Sequence, residues 1–200
     1  PSDDDGGSHL QTLGRQAFYN CESLEQISLP NTVTTIGRMA FYSCRSLEQI
    51  SIPHSVTTIG NMAFGSSSLQ SVTIPEGITE IPYKAFQGCQ ALTTVDIPGS
   101  VAAIGKDAFS GCTALHEVNF PSDDDGGSLL QTVGDGAFNK CRSLEQISLP
   151  NSVHSIGRGA FGSYNYHEST CTLQEITLPS SLVSLQPHLF KNCKFLHTVV

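Results

Sequence analysis

The sequence predicts a repeat solenoid: a right-handed parallel β coil with one concave-face strand per unit of about 23 residues, and a short second strand and a short helical or 3-10 turn on the other side. Three observations predict it. An aromatic column runs through Phe18, Phe41, Phe64, Phe86, Phe109, Phe138, Phe161 and Phe190, at spacings of 23, 23, 22, 23, 29, 23 and 29. A second column runs through Pro1, Pro30, Pro53, Pro75, Pro98, Pro121, Pro150 and Pro179. Between them one unit recurs, clearest from Leu24 to Ser46 as LEQISLPNTVTTIGRMAFYSCRS. Each spacing of 29 is 23 plus six, so the insertions leave the register intact.

Within that unit each element has a physical reason. Ile27 and Leu29 stand two apart, which turns both to one face of a strand and leaves Ser28 on the other. Pro30 has no N–H to give a ladder and marks the strand's end. Val33 and Ile36 supply a second apolar pair on a short extended segment. Gly37 stands where the chain needs a positive φ or a close approach. Ala40 and Phe41 are expected on a helical or 3-10 turn, Ala against backbone and Phe in the core. One such unit cannot bury its apolar face alone. Copies stacked about 4.8 Å apart bury a continuous core.

The whole chain, residues 1–200, is read as one solenoid of about seven to eight repeats, with insertions at 2–7, 122–127 and 162–170. Residues 1–30 and 121–150 share PSDDDGGS, LQT, AF and SLEQISLP and lie five units apart, so that segment is read as duplicated as a block. Pro1 opens where a strand ends, and Val200 stops inside one. Neither end has a polar cap, so the expectation is a chain truncated or uncapped at both ends, with flanking repeats or neighbouring subunits covering them.

The repeated unit resembles the BspA-like, or Treponema pallidum type, class of leucine-rich repeats, and the resemblance covers essentially all 200 residues. It implies a curved parallel solenoid, roles in surface adhesion or protein binding, and a place on the cell surface or in a secreted protein. It does not imply a particular partner.

Charge and composition narrow the partners. A net charge of −8 and a pI near 5.2 weigh against nucleic acid and anionic membranes. No apolar run approaches the roughly 20 residues of a membrane helix, so no membrane insertion is expected of this segment.

The sequence carries no catalytic or metal motif that assigns a site. There is no G-x-S-x-G elbow, no H-E-x-x-H and no C-x-x-C pair, and no cofactor is implied. The seven histidines fall in different columns and read as surface polar residues. Cys21, Cys44, Cys89, Cys112, Cys141 and Cys193 each stand three residues after the column aromatic, with Ser67 in the third copy. They are read as reduced, packed thiols; Cys171 falls off the column and is read as the exposed one. Asp3, Asp4 and Asp5, and Asp123, Asp124 and Asp125, are candidates for a hard cation such as Ca2+. Contiguous Asp lacks the alternating ligand spacing of an EF-hand, so the plainer reading is two solvated loops.

Two binding surfaces are expected. The insertion loop carries Tyr164, Tyr166 and His167, rings of the kind that supply contact area in paratopes; a plain loop reads as well. The concave face should present Gln26, Ser28, Gln49, Ser51, Ser71, Thr73, Thr94, Asp96, Glu117, Asn119, Gln146, Ser148, Glu175 and Thr177. That surface is polar and acidic and has no aromatic platform, while Arg15, Arg38, Lys106 and Arg158 follow the Gly column on the turn side. The function expected is a non-catalytic, adhesion-type protein-binding module; the alternative is an architectural subunit of a larger assembly.

Overall fold

A computed structural model of the chain describes residues 9–121, 127–162 and 171–200. Eight coils stack around a single apolar interior, and every strand pair is parallel and in register. Each coil is here numbered by its column aromatic, from Phe18 in coil 1 to Phe190 in coil 8.

Two strand sites recur along the stack, though not both in every coil. The second-strand site carries Thr12–Leu13 (β1), Thr35–Ile36 (β2), Thr58–Ile59 (β3), Glu80–Ile81 (β5), Ala103–Ile104 (β7), Thr132–Val133 (β9) and Ser155–Ile156 (β11). The other carries Ser71–Thr73 (β4), Thr94–Asp96 (β6), Glu117–Asn119 (β8), Gln146–Ser148 (β10), Glu175–Thr177 (β12) and Thr198–Val199 (β13). In β4, β6 and β10 the central residue is buried while its neighbours face outward, as the period-two pattern requires.

Neither ladder is continuous. The second-strand ladder runs β1-β2-β3 and then β5-β7-β9-β11, parting at the 22-residue spacing between Phe64 and Phe86. The other runs β4-β6-β8 and then β10-β12-β13, parting where residues 122–127 are inserted. The expectation of one face strand per coil therefore needs correcting. In coils 1 and 2 the segments holding Gln26, Ser28, Gln49 and Ser51 form no strand.

What holds the parted ladders together is the core column. Six of the eight aromatic rings, Phe41 to Phe161, are buried, and those of coils 1 and 8 are half-buried. Neighbouring rings stack face to face at 5.2 to 6.2 Å between centroids. Burying each contributes roughly 1.5–3 kcal/mol.

The turn holding that aromatic is not helical, which corrects the sequence expectation. Among the described residues no helix or 3-10 segment occurs. Instead, donors alternate. Ala40, Tyr42 and Cys44 donate their N–H groups to Gly37, Met39 and Phe41 within the coil. Met39, Phe41 and Ser43 donate to Asn61, Ala63 and Gly65 of the next coil. A helix would aim all its N–H groups along its own axis and leave none for the neighbouring coil. The alternation needs left-handed backbone at two points per turn, seen at Met39 (φ 56°) and Ser43 (φ 58°).

Gly37 is required by the other of its two expected reasons. A Cβ there would lie 2.6 Å from the Leu13 carbonyl oxygen, and at Gly134 one would lie 2.7 Å from Lys106 N. Coils approach through this column. The positive φ falls two residues later.

Candidate functional site

The outward positions of the face strands form the candidate surface. Ser71, Thr73, Asp96, Glu117, Asn119, Gln146 and Ser148 are exposed, and Thr94, Glu175 and Thr177 are half-exposed. Gln26, Ser28, Gln49 and Ser51 are exposed too, though on unladdered backbone. Register sets these residues in rows across the coils: Thr73 opposite Asp96 opposite Asn119, and Gln146 opposite Glu175 opposite Thr198.

One row is tied by hydrogen bonds. Thr73 Oγ1 donates to Asp96 Oδ2 at 3.3 Å, and Asn119 Nδ2 donates to Asp96 Oδ1 at 3.0 Å. Both carboxylate oxygens are thus held by neutral donors from the flanking coils, which fixes the orientation of the group. A similar pair joins Gln70 Nε2 to Glu48 Oε2 at 3.0 Å.

Beside this row a groove of about 840 Å3 crosses coils 2 to 5 at the ends of the strands. It gathers Gln49, Ser51, Ser71, Thr73, Asp96 and Asn119 from the predicted face. It adds Ile50, Ile52, His54, Glu76, Phe120 and the prolines 75, 98 and 121. Phe120 also lines a second groove of about 380 Å3 at the parting between β8 and β10. The expected face without an aromatic therefore has one at its rim. The sequence held the signal: the residue before the proline is Leu or Ile in every other coil, and Phe only here.

The turn side carries different chemistry. Tyr19 stacks on Tyr42 at 5.6 Å, and Tyr42 lies over Gly65, where a Cβ would come within 2.9 Å of its ring. A polar hollow of about 630 Å3 is lined by Gln87, Gln90, Lys140 and Arg142 among others.

The cysteine column is structural. Cys44, Cys89, Cys112 and Cys141 are buried, and each thiol donates to the backbone carbonyl of the preceding coil's column Phe at 3.0 to 3.3 Å. Burial pushes Cys44 and Cys89 up to about 11 and Cys141 to about 12, and raises Cys112 well above the ordinary thiol value. Thiols so held carry almost no thiolate at neutral pH and are inert as nucleophiles. Cys171 and Cys193 correct the sequence reading. Cys171 is buried, forms a parallel bridge with Cys193, and is joined to it by a disulfide with Cα atoms 4.6 Å apart. Cys171 therefore lies in the column beside Cys193 and not in solvent.

The remaining candidates lie outside the described residues: Tyr164, Tyr166 and His167 of the insertion, and Asp3, Asp4, Asp5, Asp123, Asp124 and Asp125 of the acidic triplets. Among the described residues no group of three or more His, Cys, Asp or Glu is disposed to hold a metal ion.

Comparison with known proteins agrees with this geometry. The family model described as "BspA type Leucine rich repeat region" matches residues 11–127 and 127–200, in six copies. Among solved structures, the chain is similar to a leucine-rich repeat protein from Bacteroides ovatus ATCC 8483, at 30% identity and a TM-score of 0.79, over 96% of this chain and 53% of that one. It is also similar to a leucine-rich cell surface protein from Faecalibacterium prausnitzii A2-165, at 27% identity and a TM-score of 0.59, over 95% and 57% of the two chains. A leucine-rich repeat protein from Eubacterium ventriosum ATCC 27560 is similar at 26% identity and a TM-score of 0.66, over 81% and 46%. The chain thus spans about half the length of each of these relatives. No curated protein matches it.

Proposed function

Because the chain belongs to the BspA-type leucine-rich repeat family, we propose that it is a non-catalytic, adhesion-type protein-binding module of a surface or secreted protein, which meets its partner through the face formed by β4, β6, β8, β10 and β12. One observation carries this reading. The outward side chains of those strands stand in register and contribute nothing to the core, leaving a broad polar surface over a rigid stack. The similarity to a cell surface protein supports the setting. The buried, protonated thiols support a structural and non-catalytic use of the most reactive side-chain type present.

The test is quantitative capture on the immobilised chain of proteins from the surroundings of its native cell. The double variant Gln146→Arg with Glu175→Arg is then compared, since both substitutions leave the core untouched. The reading requires capture to fall at least about tenfold. Unchanged capture overturns it. Tyr164→Ala with Tyr166→Ala, run in parallel, reports the share of the insertion loop.

A second reading, an architectural subunit held in a larger assembly, is favoured by coil 8. There Val183 is 93% exposed and Phe195 62% exposed. Isolated chains that self-associate, and that cease to do so when both residues are replaced by Ser, support that reading instead.

A further inference from the structure

We propose that the groove at the strand ends of coils 2 to 5 binds an extended peptide segment carrying an arginine or lysine beside an apolar residue, the cation at Asp96 and the apolar side chain against Phe120. The proposal rests on the protein-binding reading above and names the chemistry of the segment recognised.

Size points to a short extended chain. A volume of about 840 Å3 falls within the roughly 300–1,000 Å3 of ligand clefts. Crossing from coil 2 to coil 5 covers three coil steps, about 14 Å at roughly 4.8 Å each, or about four extended residues.

Charge points to a cation. Glu76 and Asp96 line the groove, Glu117 stands exposed on the same face, and among the described residues neither Lys nor Arg lines it. The Asp96 carboxylate is already oriented by Thr73 and Asn119. Each of its oxygens accepts one neutral donor there and keeps acceptor capacity for another. A guanidinium or ammonium arriving from solvent meets a fixed carboxylate and forms charge-assisted bonds without ordering it first.

The walls supply the apolar half. Ile50, Ile52 and Phe120 are half-buried, so each shows part of its side chain to the groove. Phe120 offers an aromatic ring where the other coils offer Leu or Ile, and an aromatic ring also attracts a neighbouring cation. The prolines 75, 98 and 121 remove N–H donors from this rim. Recognition therefore goes through side chains and not through addition of a strand to the ladder.

The test is amide chemical-shift mapping on the isotope-labelled chain with the blocked peptide Leu-Arg-Leu-Arg, and with Leu-Glu-Leu-Glu and maltotetraose as comparisons. The result expected is saturable shifts confined to the ends of β4, β6 and β8 with the arginine peptide alone. They weaken about tenfold in Phe120→Leu, which installs the residue type of other coils, and in Asp96→Asn. They also weaken as salt rises. Equal shifts with the glutamate peptide, a preference for the sugar, or no weakening in either variant overturns the proposal. Partner capture that survives Phe120→Leu but is lost in the Gln146→Arg, Glu175→Arg variant sinks this inference and leaves the protein-binding reading standing. Capture indifferent to the Gln146→Arg, Glu175→Arg variant sinks that reading itself.

Discussion

Phe86 and Phe109 stack with centroids 5.3 Å apart and planes 2° from parallel, both rings buried. The pair is the middle of a column that continues across both places where the strand ladders part. Stacked rings and the turn hydrogen bonds, more than sheet pairing, therefore hold the coils in line.

It follows that Phe86→Ala should destabilise the chain by about 3–5 kcal/mol, since it leaves a ring-sized void with a neighbour on each side. Phe18→Ala, at a half-buried ring stacked on Phe41, should cost clearly less. Equilibrium denaturation of the two variants checks the ordering; equal losses would contradict it.

The glycine column predicts a contrast within one residue type. Gly134→Ala places a Cβ 2.7 Å from backbone atoms of the previous coil, and about 1–3 kcal/mol or more should be lost. Gly14→Ala meets nothing within 4 Å, so it should be neutral or stabilising by up to about 1 kcal/mol. Thermal unfolding distinguishes them.

Asp107 combines two unfavourable features. Its φ is 56°, and burial raises its carboxyl above the ordinary value against the opposing pull of Lys84 and Lys106. A raised folded pKa means the folded state holds the proton longer, so this group's contribution is fully present at acid pH and is lost as pH rises through the folded value. Asp107→Gly should raise stability near neutral pH and flatten the acid limb of the stability profile. A variant less stable than the parent at pH 7 would count against it.

The thiol column predicts a graded reactivity. Without reductant, unfolded chain should take up iodoacetamide at five cysteines, Cys171 and Cys193 being joined. The folded chain should react first at half-exposed Cys21 and hardly at Cys89, Cys112 or Cys141. Stability should also fall as pH rises from about 9, the ordinary thiol value, towards about 12, because the raised folded values delay ionisation. Rapid native labelling of Cys141 would refute the assignment.

The coil, its apolar columns and the outward face were legible because period-two and 23-residue spacings constrain side-chain direction directly. The turn was not. Ala40-Phe41 carries the same apolar pair in a helical turn or in alternating turns, and only the neighbouring coil's acceptors decide between them. Gly37 shows the same limit: the sequence marks a special residue but does not say whether conformation or closeness demands it. Cys171 was misplaced because an insertion hides register from residue counting. Phe120 was visible as a departure from its column, but its place in a groove beside the parting of β8 from β10 was not, because no local pattern announces that parting.

The central claim, that coils stack in register through a shared interior, is tested most directly by one distance. Thr12→Cys and Ser155→Cys, on exposed residues of β1 and β11, are spin-labelled in a Cys21→Ser background. Six coil steps at roughly 4.8 Å predict a narrow separation of about 29 Å by electron–electron dipolar spectroscopy. A broad distribution, or one centred beyond about 45 Å, would mean that the coils do not pile as stacking at that spacing demands.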